Sequence, residues 1–352
     1  MLSPLLSDYT TLRLGGPAGS ITEATTDAEL IEAVTAADSS GQPLLLVAGG
    51  SNLVVADKGF DGQVVLIRTA GIENDRTDPD ILHVAAGEPW DPFVAHCVSE
   101  GRAAVACLSG IPGSVGATPI QNVGAYGQEV GGSITSMRVI DRKRGVITDL
   151  SGDDAEFGYR RSLIKRTPGR YVVLRVSLRL PRQELGSPVA YGELATLLGV
   201  PLGTRVPATD LRDAVLELRR GKGMVLDPRD PDTVSAGSFF TNPILDEDEF
   251  FMLQRRVQAR LGDTVTVPGY PSGQHGRMKT SAAWLIDHAG FTRGHGNPDG
   301  IAISSKHVLA LTNRGAGTTT ELLDLAHRIA GGVKRVFGVE LRPEPVFAGC
   351  SW

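Results

Sequence analysis

The first stretch of alternating apolar and polar positions predicts a small βαβ unit. Apolar runs at 21–25 and 43–48 flank a segment in which Leu30, Ile31 and Val34 recur at helical spacing. Thr26 followed by Glu29 has the pattern of a capping box, and a glycine at position 41 can end the helix. The unit leads through AGGSN (48–52) to another apolar strand at 64–68.

A second block combines strands with one helix. An apolar strand at 81–87 precedes a helical pattern at 91–101, and a long glycine-rich loop covers 108–132. Period-two patterning predicts strands at about 134–141, 146–150 and 171–180. The segment RKRG at 142–145 is typical of a hairpin turn between two of them. The block is therefore α+β rather than doubly wound.

The last third begins after a helix whose apolar face carries Leu211, Val215 and Leu218, predicted over 208–223. The segment LDPRDPD then breaks the helix with two prolines. Beyond it, helical and strand periods alternate, which fits a βα-type domain of roughly a hundred residues. No repeat of fixed period is visible.

Composition narrows the class of protein. The 352 residues are 41% hydrophobic and 21% charged, typical of an ordinary globular protein with two or three cores. A net charge of −5 argues against a nucleic-acid partner. Three separated cysteines indicate reduced, non-catalytic thiols and no metal site. No basic leader or apolar run of about 18 residues is present, so we expect a cytoplasmic protein without membrane insertion.

Two glycine-rich segments are candidates for phosphate binding. In AGGSN, consecutive glycines allow backbone amides to converge on a phosphate, and Ser51 and Asn52 add polar groups; a structural turn is the competing interpretation. Neither a Rossmann fingerprint nor a P-loop is present, since no lysine follows. The loop at 108–132 is functional or an elaborate turn. Together the two segments suggest a dinucleotide whose pyrophosphate is held by amides.

Three further segments carry candidate chemical groups. FGYRRSLIKR (157–166) is either a solvated basic face or contains one arginine turned toward a carboxylate or oxyanion. Glu344 lies between two prolines and is either a surface residue or catalytic. In AGSFFTNP (236–243), Ser238 is either a small core residue or a hydroxyl held in a dry pocket.

The wording and order of six motifs resemble one enzyme family. AGGSNLVV, SGIPGSVGATPIQNVGAYGQEV, FGYRRS, AGSFFTNP, AAWLID and RPEP together are similar to the UDP-N-acetylenolpyruvoylglucosamine reductases, also called UDP-N-acetylmuramate dehydrogenases. The resemblance extends from about residue 10 to the C-terminus. It implies an α+β fold with a two-part FAD-binding domain of the PCMH or vanillyl-alcohol-oxidase type and a C-terminal α/β substrate-binding domain.

The resemblance also implies domain bounds and a reaction. The FAD-binding subdomains would cover 1–70 and 71–225, the substrate-binding domain 226–336, and a segment returning to the active site 337–352. The reaction would use NADPH and non-covalent FAD to reduce the enolpyruvyl ether of UDP-N-acetylglucosamine-enolpyruvate in peptidoglycan precursor synthesis. Hydride goes to the alkene β-carbon, and an acid must protonate the α-carbon while a cation stabilises the enolate.

Residue roles follow from the same motif match. Ser238 is implied as the proton donor, and Arg160 and Glu344 as groups that stabilise the enolate, with Glu344 holding or sharing a proton to do so. The implied cofactor-binding positions are Gly49, Gly50, Ser51, Asn52, Leu53, Gly113, Ser114, Gly116, Ala117, Thr118, Gln121, Asn122, Gly124 and Arg220. The implied substrate-binding positions are Tyr126, Tyr191, Asn242, Lys279 and His288.

The chain departs from the family pattern at a few positions. Tyr191 lies in a loop found in one subclass, which it suggests for this chain. Met224 occupies the place of a substrate-facing lysine, for which Lys222 is a possible substitute. His288 replaces a glutamine of some relatives, and Val346 an arginine.

Two alternatives to the reductase stay open. The first is an FAD-dependent sugar or alcohol oxidase of the same fold superclass. It predicts a covalent flavin tether at histidine or cysteine, which the two loops lack apart from Cys107 at an edge. The second, a non-catalytic flavin-binding protein, requires that Ser238, Arg160 and Glu344 do not converge.

Overall fold

Local sequence signals explain where the regular elements begin and end. The computed structural model describes residues 4–352, and no helix in that range is long and apolar enough to cross a bilayer. The α-helices of this range are α1 Asp27–Ser40, α2 Trp90–Ser99, α3 Thr118–Gln121, α4 Leu163–Arg166, α5 Gly192–Leu198, α6 Ala208–Gly221, α7 Glu247–Leu261, α8 Ala282–His288 and α9 Thr319–Phe337.

The β-strands are mostly short, as expected where turns and glycines are frequent. In the described range they are β1 Ala18–Ala24, β2 Leu44–Val47, β3 Leu53–Val55, β4 Phe60–Ile67, β5 Ile72–Asn74, β6 Ile81–Ala85, β7 Gly124–Ala125, β8 Gln128–Glu129, β9 Ile134–Asp141, β10 Val146–Ser151, β11 Tyr171–Arg179, β12 Ser235–Ser238, β13 Ile244–Asp246, β14 Gly269–Pro271, β15 Arg277–Thr280, β16 Ile301–Ile303, β17 Ala310–Asn313 and β18 Val346–Ala348.

The contacts divide the chain into two units. Unit 1 is built mainly from Ala18–Gly50 and Phe60–Leu226, and unit 2 from Leu5–Pro17, Ser51–Gly59 and Asp227–Trp352. The chain therefore enters unit 2 twice, at Leu5–Pro17 and at Ser51–Gly59, before the C-terminal third begins. Unit 2 is consequently not a contiguous stretch of sequence.

In the described part of the chain, unit 1 contains two larger sheets, the two-stranded β7-β8 hairpin and a hydrophobic core. β1 and β2 both pair in parallel with β4, in the order β1-β4-β2, and α1 connects β1 to β2. The second sheet is antiparallel, in the order β10-β9-β11-β6-β5. Large side chains of α2, Trp90 and Phe93, are fully buried in this core. AGGSN begins where β2 ends, and the glycine-rich segment at 108–132 leads into β9.

Unit 2 is built on short antiparallel sheets and long helices. Its sheets have the orders β12-β17-β16 and β13-β15-β14, and β3 pairs in parallel with β18. The buried face of α9 packs into the core of unit 2 through Leu322, Ile329 and Phe337. Asp57 accepts hydrogen bonds from the Thr319 and Thr320 N–H groups, so a residue of the Ser51–Gly59 segment caps α9.

Several local predictions are confirmed. Thr26 and Glu29 form the capping box, and Gly41 ends α1 in the left-handed conformation at φ 67°. β9, β10 and β11 lie within a residue of the predicted bounds. The mixed helix and strand content, with parallel and antiparallel sheets, confirms the α+β class.

The prediction of one continuous loop over 108–132 was wrong. The segment contains α3, begun with Pro119 in its first turn, and the hairpin β7-β8. Glycine enrichment here marks tight turns between very short elements, which carry too few residues to show a hydrophobic period.

Candidate functional site

The two glycine-rich segments meet at backbone level within unit 1. A Cβ added to Gly49 would lie 2.6 Å from the Cα of Gly113, so this approach excludes any side chain at position 49. Gly113 has φ 119°, a conformation that side chains disfavour. Glycines that the sequence places 64 positions apart therefore form one continuous backbone surface.

Ser114 adds an unused polar group beside this surface. Its side chain is buried at 3% exposure, and within residues 4–352 its Oγ has no hydrogen-bond partner. A buried hydroxyl without a partner costs about 1–3 kcal/mol, unless a ligand oxygen completes it. A hydroxyl next to exposed glycine backbone is a donor set that suits phosphate oxygens. The residues present thus fit a pyrophosphate-bearing cofactor.

Other predicted cofactor positions serve the fold of the loop. A Cβ added to Gly116 would lie 2.4 Å from the Ala86 Cβ, so Gly116 permits close packing on the end of β6. Thr118 Oγ1 donates to the Val115 carbonyl (2.8 Å), and Ala117 is exposed. Gly116 and Thr118 therefore shape the loop.

The Gln121–Asn122 amide pair braces the same loop. Asn122 Nδ2 donates to Glu129 Oε2 (2.7 Å) and to the Gly158 carbonyl (3.0 Å), and its Oδ1 accepts from the Gly131 N–H (2.8 Å). Gln121 Oε1 accepts from Lys165 Nζ (2.8 Å). Asn122 also ends α3 at φ 50°, a left-handed conformation that asparagine tolerates. The side chain of Asn122 is fully used in holding the loop.

Tyr126 occupies a strained turn. It forms the two-residue turn of the β7-β8 hairpin with Gly127, and both residues have positive φ (50° and 85°). Such a turn favours Asn-Gly, so a tyrosine at its first position is unexpected on stability grounds. Its ring contacts Tyr191 edge to face, with centroids 5.9 Å apart, and burial raises the pKa of Tyr126. The sequence-predicted pair therefore meets, and Tyr191 is 49% exposed.

Arg160 also lies at a position that glycine would favour. Gly158 and Arg161 exchange backbone hydrogen bonds around a tight turn, and Arg160, the third residue of this turn, has φ 50°. Its Nη2 donates to the Gly124 carbonyl (3.2 Å), and the guanidinium stacks on Tyr159 at 5.5 Å. Backbone strain retained at a charged residue points to a functional constraint there.

Two adjacent arginines at the end of α6 differ in exposure, and the predicted one is the more exposed. Arg220 is exposed, whereas Arg219 Nη2 donates to the carbonyls of Gly110 (3.3 Å) and Met224 (2.8 Å). The Arg219 Nε is buried and has no partner in the described chain. Burial lowers the pKa of Arg219 to about 10, so it is charged at neutral pH.

Gly110 is held at both of its backbone polar groups. Its N–H donates to Asp91 Oδ1 (2.6 Å), which also binds Arg212, and its carbonyl accepts from Arg219. Burial raises the pKa of Asp91, whereas the hydrogen bonds from Arg212 and from the Gly110 N–H lower it. The net shift of this pKa is downward. The start of the glycine-rich loop is thereby fixed to α6.

Lys222, the possible substitute for a substrate-facing lysine, forms an ion pair with Glu193. Glu193 lies in the first turn of α5, which directly follows Tyr191. Lys222 thus contacts the segment that carries Tyr191.

In unit 2, Ser238 ends β12 at the border of the core. Ser238 is half-buried, whereas Phe239 and Phe240 are each 1% exposed. The ring centroids of the two phenylalanines lie 5.1 Å apart. The two phenylalanines are core residues, and the serine hydroxyl lies beside them. Ser238 is therefore not a buried core residue.

Glu344 is placed next to β12 by backbone hydrogen bonds. Its N–H donates to the Phe239 carbonyl (2.8 Å), and Phe240 bridges to Pro343. Asn52 Nδ2 donates to the Glu344 carbonyl (3.4 Å), and the Val346 N–H donates to the Asn52 carbonyl (2.9 Å). Unit 2 therefore brings Ser238, Glu344 and Asn52, which are far apart in sequence, onto adjoining segments.

The predicted substrate contacts of unit 2 lie on neighbouring elements. Asn242 Oδ1 accepts from the Ala282 N–H (3.0 Å) at the start of α8. Lys279 in β15 pairs with Ile244 on one side and Tyr270 on the other. The sequence reasoning missed the exposed Tyr270, because only the strand register places it opposite Lys279.

The side chain of His288 interacts with a residue of its own helix, α8. Its ring stacks on Trp284 at 3.9 Å, and Nδ1 donates to the Trp284 carbonyl (2.9 Å). In residues 4–352 no cluster of His, Cys, Asp or Glu has the arrangement of a metal site.

Comparison with known proteins gives consistent matches in both parts of the chain. Residues 19–151 match the model of the FAD binding domain, and residues 229–348 match that of the UDP-N-acetylenolpyruvoylglucosamine reductase C-terminal domain. The UDP-N-acetylenolpyruvoylglucosamine reductase of Streptomyces coelicolor is 56% identical over 98% of this chain and 89% of its own. That of Thermobifida fusca is 53% identical over 98% and 97%.

A solved structure shares the fold. The crystal structure of UDP-N-acetylenolpyruvylglucosamine reductase from Thermus caldophilus has a TM-score of 0.66 and 23% identity, covering 98% of this chain and 97% of its own. Both sequence relatives are more than 50% identical to this chain over nearly its full length. The structural match also extends over nearly the full chain. The chain therefore belongs to the UDP-N-acetylenolpyruvoylglucosamine reductase family and is an FAD-dependent oxidoreductase.

Proposed function

We propose that this chain uses NADPH to reduce the enolpyruvyl ether of UDP-N-acetylglucosamine-enolpyruvate to UDP-N-acetylmuramate, with Ser238, Arg160 and Glu344 as its catalytic residues. The location proposed is the cytoplasm, where NADPH and nucleotide sugars are available. The observation that carries the residue assignment is the hydrogen bond from the Glu344 N–H to the Phe239 carbonyl (2.8 Å), which sets Glu344 beside the segment that ends in Ser238.

FAD, when bound, supplies the hydride that it has accepted from NADPH. We propose that Gly49, Gly113 and Ser114 hold its pyrophosphate, since the glycines expose backbone and the Ser114 hydroxyl has no other partner in the described chain. Arg219 takes the role that the motif match gave to Arg220, because Arg219 is half-buried whereas Arg220 is exposed, and Arg219 donates to the Gly110 carbonyl at the start of the same loop.

Ser238 supplies the proton. Hydride addition to the β-carbon moves the two π electrons of the alkene onto the α-carbon, and this electron pair takes the hydroxyl proton of Ser238. The O–H bond of Ser238 breaks, and its two electrons stay on the serine oxygen as an alkoxide. A serine hydroxyl is a weak acid, so the transfer needs a strongly basic acceptor and a fixed geometry. The neighbouring Phe239 and Phe240 are buried, which fixes the backbone on one side of Ser238.

Arg160 stabilises the negative charge that spreads from the α-carbon into the substrate carboxylate. A guanidinium is permanently charged and can form two parallel hydrogen bonds with a carboxylate. The strained turn and the bond to the Gly124 carbonyl fix its orientation before substrate arrives, so little reorganisation is needed during the reaction. Glu344 acts with it in its protonated or proton-sharing form.

We assign the substrate contacts to two pairs of side chains. Tyr126 and Tyr191 offer an aromatic pair in unit 1, and Lys279 with Tyr270 offers a cation and a ring in unit 2, suited to a nucleotide diphosphate. Asn242, on the connection between β12 and β13, is a further proposed substrate contact. His288 remains a proposed contact, although its Nδ1 is used within α8.

The test is a pair of anaerobic half-reactions with the purified flavoprotein. NADPH should bleach the flavin absorbance, and the enolpyruvyl UDP-sugar should restore it. In Ser238→Ala the first step should proceed at its normal rate, whereas the second should fall by more than about 100-fold, since a positioned acid contributes at least that factor. Equal loss in both half-reactions would remove Ser238 as proton donor. Restoration by oxygen and an alcohol, but not by the enolpyruvyl sugar, would instead indicate an oxidase.

A further inference from the structure

The strand that carries Ser238 contains an extra residue. β12 pairs with β17 so that Ser235 lies opposite Thr312 and Ser238 opposite Ala310. Three steps along β12 therefore match two steps along β17, which defines a β-bulge between the two pairs. Gly237, immediately before Ser238, has φ 73°, the left-handed conformation of glycine in one common bulge type. The bulge ends at the residue assigned as the proton donor.

Hydrogen bonds fix the bulge on both sides. The Gly237 N–H donates to Ser235 Oγ (3.2 Å), and the Ser235 carbonyl accepts from Thr11 Oγ1 (2.6 Å). Beyond the bulge, the Phe239 N–H donates to the Leu309 carbonyl (2.8 Å), so pairing resumes directly after Ser238. Ser235 is buried at 5% exposure. The extra residue is thus held at a single place in the strand.

The requirement for glycine at 237 is conformational. A Cβ added there would meet no atom within 4 Å, so space does not exclude a side chain. The φ of 73° disfavours one, because an L residue in this region costs about 1–2 kcal/mol. A side chain at 237 therefore favours removal of the bulge without any clash.

Removal of the bulge would redirect Ser238. Side chains of a strand alternate between its two faces, and a shift of one residue moves each to the opposite face. We propose that Gly237 is a positioning residue for the reaction: its left-handed bulge aims the Ser238 hydroxyl while Phe239 and Phe240 remain in the core. This inference rests on the proposed function of Ser238 and extends it to the backbone that presents the hydroxyl.

The experiment compares three substitutions in the full-length FAD-bound protein. Gly237→Ala should slow flavin reoxidation by the enolpyruvyl UDP-sugar by about tenfold or more, with reduction by NADPH within about twofold of the wild type. Gly237→Asn should recover most of the loss, because asparagine tolerates the left-handed region. Ser235→Ala, which removes the Gly237 hydrogen-bond acceptor without adding strain, should give a smaller loss in the same step. The control Gly294→Ala places the same strain (φ 79°) in an open, exposed part of unit 2 and should leave both steps unchanged.

A second readout separates positioning from general weakening. If the hydroxyl is misdirected, proton transfer limits reoxidation, and the solvent deuterium isotope effect on that step should rise in Gly237→Ala but not in Gly294→Ala. Reoxidation at the wild-type rate in Gly237→Ala, with Ser238→Ala slow, would overturn the role of the bulge and leave the proton donor in place. Reoxidation at the wild-type rate in Ser238→Ala would overturn both. A slow Gly237→Ala without rescue by Gly237→Asn would also contradict the proposal.

Discussion

At the scale of single residues, helical phase decides which of two adjacent arginines turns toward the buried face of α6. Arg219 follows Val215 by four positions and Leu211 by eight, so it continues the buried face of α6, while Arg220 points away from that face. The motif match alone selects Arg220. The apolar face recognised in the sequence already contained the information, because the same spacing that predicts the core also predicts which arginine turns inward.

We expect Arg219→Ala to weaken FAD binding by about tenfold or more, since a charge-assisted hydrogen bond contributes about 1.5–3 kcal/mol. Arg220→Ala is the matched control and should bind FAD as the wild type does. The measurement is flavin fluorescence during titration of the apoprotein. Similar affinity in both variants would show that Arg219 only holds the carbonyls of Gly110 and Met224.

Arg160 offers a second prediction at this scale, because its charge and its backbone strain can be separated. Arg160→Ala and Arg160→Gly both remove the guanidinium, and both should lose most flavin reoxidation by the enolpyruvyl sugar. Glycine accepts φ 50° without strain, so Arg160→Gly should be more stable than Arg160→Ala by about 1 kcal/mol. Urea unfolding gives the difference. A more stable alanine variant would mean that the left-handed turn is not retained.

At the scale of elements, local signals were readable and non-local ones were not. The capping box at Thr26 and the left-handed Gly41 depend on residues within one turn of the chain, so the bounds of α1 follow from the sequence. The bulge at Gly237 depends on pairing with β17, some 75 positions away, so no local sequence pattern predicts it. The contact between Gly49 and Gly113 is non-local as well. The sequence shows that both segments are rich in glycine, but only the fold brings the two residues together.

The start of α1 provides a prediction for a single element. Thr26 Oγ1 accepts from the Glu29 N–H (3.2 Å), so Thr26→Ala should lower the free energy of unfolding by about 1 kcal/mol. Thr26→Ser retains the acceptor and should cost much less. Urea unfolding of the two variants checks this, and equal losses would show that the methyl group, rather than the cap, matters at position 26. Flavin reduction and reoxidation should be unchanged in both.

At the scale of the whole molecule, unit 2 depends on segments from early in the chain. β3 pairs with β18, and Asn313 Nδ2 donates to the Leu12 carbonyl (3.1 Å). The proline-rich break suggests a boundary near residue 226, whereas unit 2 also contains two earlier segments, Leu5–Pro17 and Ser51–Gly59. Composition changes mark where a chain leaves one region; they do not reveal earlier segments that return to complete another.

A buried carboxylate network ties the later part of unit 2 together and makes its stability depend on pH. Asp232 accepts from the Ser305 N–H (2.8 Å) and Oγ (2.5 Å) and from Arg314 Nη2 (2.7 Å), and it is 3% exposed. Burial raises the pKa of Asp232, but the Ser305 hydrogen bonds and the Arg314 charge outweigh it, so the net shift is downward. A carboxylate with a lowered folded-state pKa stabilises the protein above its unfolded pKa of about 3.9, and this contribution is lost as pH falls through the folded value.

We therefore expect Asp232→Asn to be less stable than the wild type by about 3 kcal/mol at pH 7, because Arg314 is left without its anion. The difference should narrow as the pH is lowered from about 5 toward 3, since the wild type then loses the charge that the variant already lacks. Urea unfolding at a series of pH values measures it. The exposed Asp263→Asn should differ little from the wild type throughout. A gap for Asp232→Asn that stays constant with pH would mean that the Ser305 hydrogen bonds, and not the charge, stabilise unit 2.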